Sequence, residues 1–225
     1  LHAVDRDETH PLVIAGGHAA FNPEAISMFI DGAVLGDGEQ AVLAITDIIS
    51  DFKTQGSPGG RDELLMRLAK SGVMYVPAFY DVEYLEDGRI RRVSPNRPGV
   101  PWRVAKHTVM DLDEWPYPKA PLVPIAESVH ERMSVEIFRG CTRGCRFCQA
   151  GMIYRPVRER SKAKIEDIAK KSLMNTGHEE LSLLSLSTSD YSEFEALASD
   201  LMIMCKENNV SLSLPSLRLD SFSFK

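Results

Sequence analysis

The stretch Ser134-Val-Glu-Ile-Phe-Arg139-Gly-Cys-Thr-Arg-Gly-Cys-Arg-Phe-Cys148 decides how this chain is read. An apolar strand pattern over 134–138 runs directly into three cysteines spaced C-x3-C-x2-C. Downstream, helical periodicity returns near 165–176 and again over 191–207, with strand-like runs near 181–186 and 210–214. That order is βαβαβ. Crossover helices between successive strands imply parallel pairing, in a barrel or an open sheet, and in both the reactive residues gather at the carboxyl ends of the strands. The cysteine run sits at such an end.

Of the four cysteines, Cys141, Cys145 and Cys148 lie within eight residues and Cys205 is far away, which is no disulfide framework. Metal or redox chemistry in a reducing compartment, hence a cytoplasmic location, fits better. Thiolates suit zinc or iron-sulfur centres, and a structural zinc site needs four protein donors. Cys205 falls among Leu201, Met202 and Met204 on a helical pattern and reads as a buried thiol. His130 and His178 are the histidines that could complete a Cys3His zinc site, although neither has the usual local spacing. A zinc-binding interaction module is therefore one reading. The other is an iron-sulfur cube with one iron lacking a protein donor, an open position that makes a metal site reactive.

The run C-x3-C-x-aromatic-C, with Phe147 in the aromatic position, resembles the cluster loop of the radical S-adenosylmethionine (SAM) superfamily. Cys141 to Ser161, reading CTRGCRFCQAGMIYRPVRERS, together with Leu214-Pro-Ser-Leu-Arg-Leu-Asp-Ser-Phe222, is similar to a bacterial radical SAM family with an N-terminal cobalamin-binding-like domain. The resemblance implies a [4Fe-4S] cluster held by Cys141, Cys145 and Cys148, with SAM chelated at the open iron. One electron would then break a sulfur-carbon bond to give methionine and a 5'-deoxyadenosyl radical, which takes hydrogen from a substrate. It also implies an electron donor such as flavodoxin or ferredoxin. The resemblance leaves the substrate open among a small molecule, an RNA and a protein, and the Arg-Gly-Cys form is also similar to that of methylthiotransferases acting on RNA or protein.

For SAM itself, Phe147 is expected near the adenine edge, or simply packed in the loop. Related barrels often end their second strand in glycines, whereas this chain has Leu184-Ser-Leu-Ser-Thr-Ser-Asp190. Ser185, Ser187 and Thr188 can supply oxygen acceptors to SAM or cap the following helix. Ser216 and Arg218 follow the third strand, and a guanidinium there can grip the SAM carboxylate or form a structural ion pair. Residues 139–164 carry eight basic side chains against one acid, Glu159, a local patch suited to a cluster of net negative charge or to an anionic substrate.

The remainder of the chain reads as α/β as well. Pro11-Leu-Val-Ile-Ala15 is a short strand before Gly16-Gly17, and Asn22-Pro-Glu24 predicts a helix start. Ala33-Val-Leu35 is a second strand, ended by Gly36-Asp-Gly38, and Val42, Leu43, Ile45, Ile48 and Ile49 give helical spacing over 39–52. The glycines mark tight turns or a ligand crevice at strand ends. His18 follows Gly17, but no Asp-x-His-x-x-Gly run for a cobalt ligand occurs, so no corrinoid is expected. Gly56-Ser-Pro-Gly-Gly60 breaks the chain, a helix covers 61–71, a hairpin turns at Asp87-Gly88 within 79–93, and seven prolines between 94 and 124 predict an extended linker.

The predicted fold class is α/β, and the resemblance implies that it comprises part of a Rossmann-like, cobalamin-binding-like domain followed by the first half of a radical SAM (βα) partial barrel. The expected divisions are 1–52, a linker over 53–130, and a core over 131–225. The ends of the chain read as those of a fragment. With 225 residues, 44% of them apolar, a core can be buried. No apolar run approaches the ~18 residues of a membrane span, so no membrane partner is expected. A net charge of -6 argues against a surface that tracks phosphate backbones throughout while leaving room for a local basic patch.

Overall fold

A computed structural model describes residues 1–126 and 129–221, apart from the side chains of residues 18 and 19. The His18 side chain and Phe222 therefore lie outside what is described. The chain divides into two compact units, Leu1–Val109 and Met110–Lys225. Among the described residues no helix is long and apolar enough to cross a membrane.

In the first unit β1 (Ile14–Ala15) and β2 (Gly32–Ala33) pair in parallel. The helix predicted after Asn22 is instead a single 3-10 segment, Pro23–Phe29, with no side-chain cap from Asn22 and no buried residue. Without an apolar face to bury, nothing rewards a longer α-helix there. Just before β2, the Asp31 carboxylate accepts from Arg6 Nη1 at 3.0 Å, Arg61 Nη2 at 2.9 Å and the Val13 amide at 2.7 Å, pinning the chain entry.

Helix α1 (Glu39–Thr54) buries Ala41, Ile45 and Phe52, whereas Val42 and Leu43, assigned to the core by periodicity, are each 56% exposed. Helix α2 (Gly60–Lys70) buries Leu65 and Leu68 beside Val76 and Phe79, so the segment expected to be a connector contributes to this unit's core.

The hairpin forms, as β3 (Tyr80–Tyr84) and β4 (Ile90–Pro95). Its turn is longer than the two-residue type read from Asp87-Gly88. The Leu85 amide donates to the Arg89 carbonyl at 2.8 Å, and Gly88 takes a φ of 81°, the left-handed residue that closes a three-residue loop. Gly36 does not open a ligand crevice: a Cβ there would lie 2.1 Å from the His107 carbonyl oxygen. The Asp37 carboxylate accepts from the Val109 amide at 2.7 Å, so this glycine turn fastens the proline-rich segment. That segment carries neither helix nor strand after Pro95, as its prolines require.

The second unit contains β5 (Met133–Glu136), β6 (Phe138–Arg139), α3 (Ala150–Ile153), β7 (Arg158–Glu159), α4 (Lys162–Thr176), β8 (Glu180–Leu184), α5 (Phe194–Glu207) and β9 (Ser211–Ser213). Strands β5, β8 and β9 lie side by side, all parallel, with Val135 opposite Leu183 and Leu181 opposite Leu212. The alternation read from the sequence is present. Helix α4 starts where Ser161 Oγ accepts from the Lys164 amide and stops at Gly177, whose left-handed φ of 71° lets its amide reach the Leu173 carbonyl. Val135, Ile165, Ile168, Leu181, Leu183, Leu197 and Leu201 are wholly buried between sheet and helices. The strand predicted over 134–138 breaks after Glu136, and its last residues form a separate antiparallel pair with β7.

Candidate metal and cofactor site

Because β5, β8 and β9 are parallel, the loops that leave β8 and β9 emerge at one end of the sheet, and the cysteine loop follows β5 there by way of β6. The loop is clamped at its base, where Phe138 pairs with Glu159 and Arg139 with Arg158. Gly140 opens it at a φ of 90°, and a Cβ at that position would sit 2.5 Å from the Pro156 carbonyl oxygen. Gly140→Ala is therefore expected to cost roughly 1–3 kcal/mol, read as a lower urea midpoint, and to displace the first cysteine. Arg155 Nε donates to the Cys141 carbonyl at 3.2 Å and Arg158 Nη2 to the Tyr154 carbonyl at 2.9 Å, so guanidiniums shape the backbone from inside.

Cys141, Cys145 and Cys148 are all free thiols; Cys145 is exposed and the other two are half-buried. Cys148 Sγ accepts from the Gly151 amide at 3.4 Å. Among the described residues, no three potential ligands are already gathered in metal-binding geometry. The donor set nevertheless fits an iron-sulfur cluster: three soft donors on one glycine-hinged loop, convergence being coupled to binding because thiolates without a cation repel one another.

The histidines are excluded as local partners. His130 precedes β5 and His178 precedes β8, so both stand at the amino ends of the parallel strands, opposite the cysteine loop, where they line one 420 Å³ cleft. A Cys3His zinc site using either of them is overturned. Cys205 is 2% exposed in α5, and burial pushes its thiol up, away from ligand chemistry.

The sequence did not single out Asp190, yet it organises this end of the unit. Its carboxylate receives Arg143 Nε at 2.9 Å, Arg218 Nη1 at 2.7 and 3.0 Å, and Ser187 Oγ at 2.7 Å. One side chain thus ties the cysteine loop to the turns after β8 and β9. The Arg143 hydrogen bond, with those of Ser187 and Arg218, holds the Asp190 carboxyl well below the usual carboxylate range. Arg218, read as a possible grip for a carboxylate ligand, is paired with Asp190 and Asp220. The signal for Asp190 was an acid in the turn after a parallel strand, beside a loop rich in arginine.

The neighbouring hydroxyls are also engaged. Thr188, wholly buried, donates to the Pro215 carbonyl at 2.6 Å and meets Ser185 Oγ at 3.0 Å, and its amide donates to the Ser216 carbonyl at 3.2 Å. Ser216 itself has a φ of 59°. These contacts lace the ends of β8 and β9 together. Phe147 is 92% exposed and projects from the loop, so it does not pack within it.

Nor do the eight basic residues of 139–164 form an open patch. Arg139 pairs with Glu136 at 2.9 Å, Arg143 with Asp190, and Lys162 with Glu166 at 3.1 Å and with Asp200; Lys164 donates to the Asp113 carbonyl at 3.0 Å. Arg160, 3% exposed, reaches Glu136 and the Leu112 carbonyl. Arg146 alone stays exposed without a partner among the described residues. Formal charge counted along the sequence could not see these pairings.

Residues 1–77 match the family described as radical SAM proteins, N-terminal, and residues 135–222 match the radical SAM superfamily. Together these regions make up well over half of the chain, and the chain belongs to the radical SAM superfamily. It is 28% identical over 151 residues to Uncharacterized protein MJ0966 of Methanocaldococcus jannaschii, an alignment covering 64% of this chain and 30% of that protein. The chain thus spans less than a third of the length of that curated relative. No solved structure gives a significant match.

Proposed function

We propose that the chain carries the cofactor-binding part of a radical SAM enzyme, holding a [4Fe-4S] cluster through Cys141, Cys145 and Cys148. The observation that carries this is the C-x3-C-x2-C loop of free thiols on a clamped, glycine-hinged base at the carboxyl end of a parallel sheet. When bound, the cluster supplies the electron that cleaves SAM to methionine and a 5'-deoxyadenosyl radical. The protein's share is to hold the three thiols, orient SAM and keep water out.

In this reading the exposed Phe147 ring packs on adenine, and the turns containing Ser185, Ser187, Thr188, Ser216 and Arg218 form the wall facing SAM. Ser187 and Thr188 set the shape of that wall, since their hydroxyls are already bonded within it. Residues 1–52 are proposed as part of a cobalamin-binding-like domain without a corrinoid, 53–130 as its extension and linker, and 131–225 as part of a (βα) barrel core. A reducing cytoplasm and a flavodoxin or ferredoxin suit the free thiols and the required electron.

The test is 5'-deoxyadenosine formation by the anaerobically reconstituted chain with SAM and dithionite. The proposal expects the nucleoside together with about four irons per chain. Colourless protein containing one zinc and inert toward SAM would reject it.

A further inference from the structure

The first unit carries a feature that neither the cysteine loop nor its cofactors use. Residues 88–106 contain Arg89, Arg91, Arg92, Arg97, Arg103 and Lys106 and no acid, within a chain of net charge -6. They run along β4 and the turn that follows it. The β3–β4 pair is a two-stranded ribbon whose other strand carries Asp81 and Glu83, the latter opposite Arg92 in the register.

Three of the arginines have no acidic partner among the described residues. Arg91 is exposed and is the extra residue where the register shifts, between the pairs Glu83–Arg92 and Tyr84–Ile90. Arg103 is exposed beside Trp102. Arg92 lies over the Trp102 ring, 5.2 Å from its centroid, yet the indole keeps 62% of its surface accessible.

An exposed planar side chain beside guanidiniums without ion-pair partners matches what a single strand of nucleic acid presents, bases with open faces on a chain of phosphates. An acidic peptide would satisfy the charges but leave Trp102 without a use. The stacked pairs of a duplex offer only their edges in the grooves, which would leave the exposed Trp102 ring without a base to stack on. We propose that the β3–β4 ribbon with the Trp102 turn is a binding surface for single-stranded nucleic acid. Trp102 stacks on a base while Arg91, Arg92 and Arg103 contact phosphates. The surface is independent of the cluster, so the two proposals fail separately.

The test uses the 225-residue chain without metal, fluorescein-labelled 12-nucleotide oligo(U) and oligo(dT), and anisotropy at 50 and 200 mM salt. Binding is expected to weaken with a log-log salt slope near -2, from roughly 0.7 per phosphate over three guanidiniums. Trp102→Ala is expected to weaken it about tenfold or more, and Arg91→Ala with Arg103→Ala to flatten the slope. With Trp115→Phe leaving Trp102 as the reporter, oligo(U) should quench the remaining fluorescence, and thermal unfolding checks that each variant is folded. Tighter oligo(U) than oligo(dT) binding identifies RNA as the ligand, and the reverse identifies DNA. Absence of binding at 50 mM salt, equal displacement by poly-glutamate, or unchanged affinity in folded Trp102→Ala overturns the proposal.

Discussion

Replacing Cys141, Cys145 or Cys148 singly by alanine is expected to abolish iron retention and SAM cleavage together. Losing even a residue that only orients a metal ligand typically costs about 10- to 100-fold in affinity or activity, and loss of a ligand itself exceeds that. The three substitutions should therefore be equivalent in iron content while leaving the fold intact, because none of these thiols belongs to the buried core. Cys205→Ala is the internal control. Its thiol is buried among the α5 contacts, so it should keep its iron and lose only about 1 kcal/mol of stability. Iron and sulfide analysis after anaerobic reconstitution reads both results.

The second large effect is expected at Asp190. Its carboxylate joins Arg143, which stands between Cys141 and Cys145, to Ser187 and Arg218 at the neighbouring strand ends. Asp190→Asn keeps the shape but removes the charge that two guanidiniums share, freeing the cysteine loop from the sheet. Iron affinity is expected to fall by about 10- to 100-fold, and alkylation of Cys141 and Cys145 in the iron-free chain should accelerate. An unchanged alkylation rate would show that Arg143 does not restrain the loop.

The same carboxyl sets a pH signature. Its folded pKa is depressed, chiefly by the Arg143 hydrogen bond, so its contribution to stability is complete above the unfolded value near ~3.9 and is lost as pH falls through the lower folded value. Wild type should therefore unfold at a higher temperature than Asp190→Asn from neutral pH to about pH 4. The difference should close only in stronger acid. A gap that is constant into strong acid would mean that the charge is not what stabilises this contact.

The cysteine spacing and the alternation of strands and helices were legible because the first is local and the second rests on periodicity within each segment. C-x3-C-x2-C is local, and helices α4 and α5 each repeat their buried positions over several turns. What stayed hidden depends on pairs distant in sequence. Arg143 and Asp190 are 47 residues apart, and Arg160 and Leu112 are 48 apart, so charge counted along 139–164 suggested an open patch where most side chains are committed. Short elements escaped for another reason. The β6–β7 clamp has two residues per strand and α3 has four, too few to show any period. The 3-10 segment at Pro23 has a helix start signal but no buried face behind it. The excluded histidines needed topology: only the parallel order of β5 and β8 reveals that His130 and His178 stand at the wrong end of the sheet.

Mössbauer spectroscopy of the iron-57-reconstituted chain, before and after adding SAM, tests most directly whether three thiols leave one iron to the cofactor. The account predicts a cubane in which a single iron site changes its isomer shift when SAM binds, with the other sites unmoved. A spectrum indifferent to SAM, with every iron already in a sulfur- or nitrogen-ligated protein environment, would contradict it.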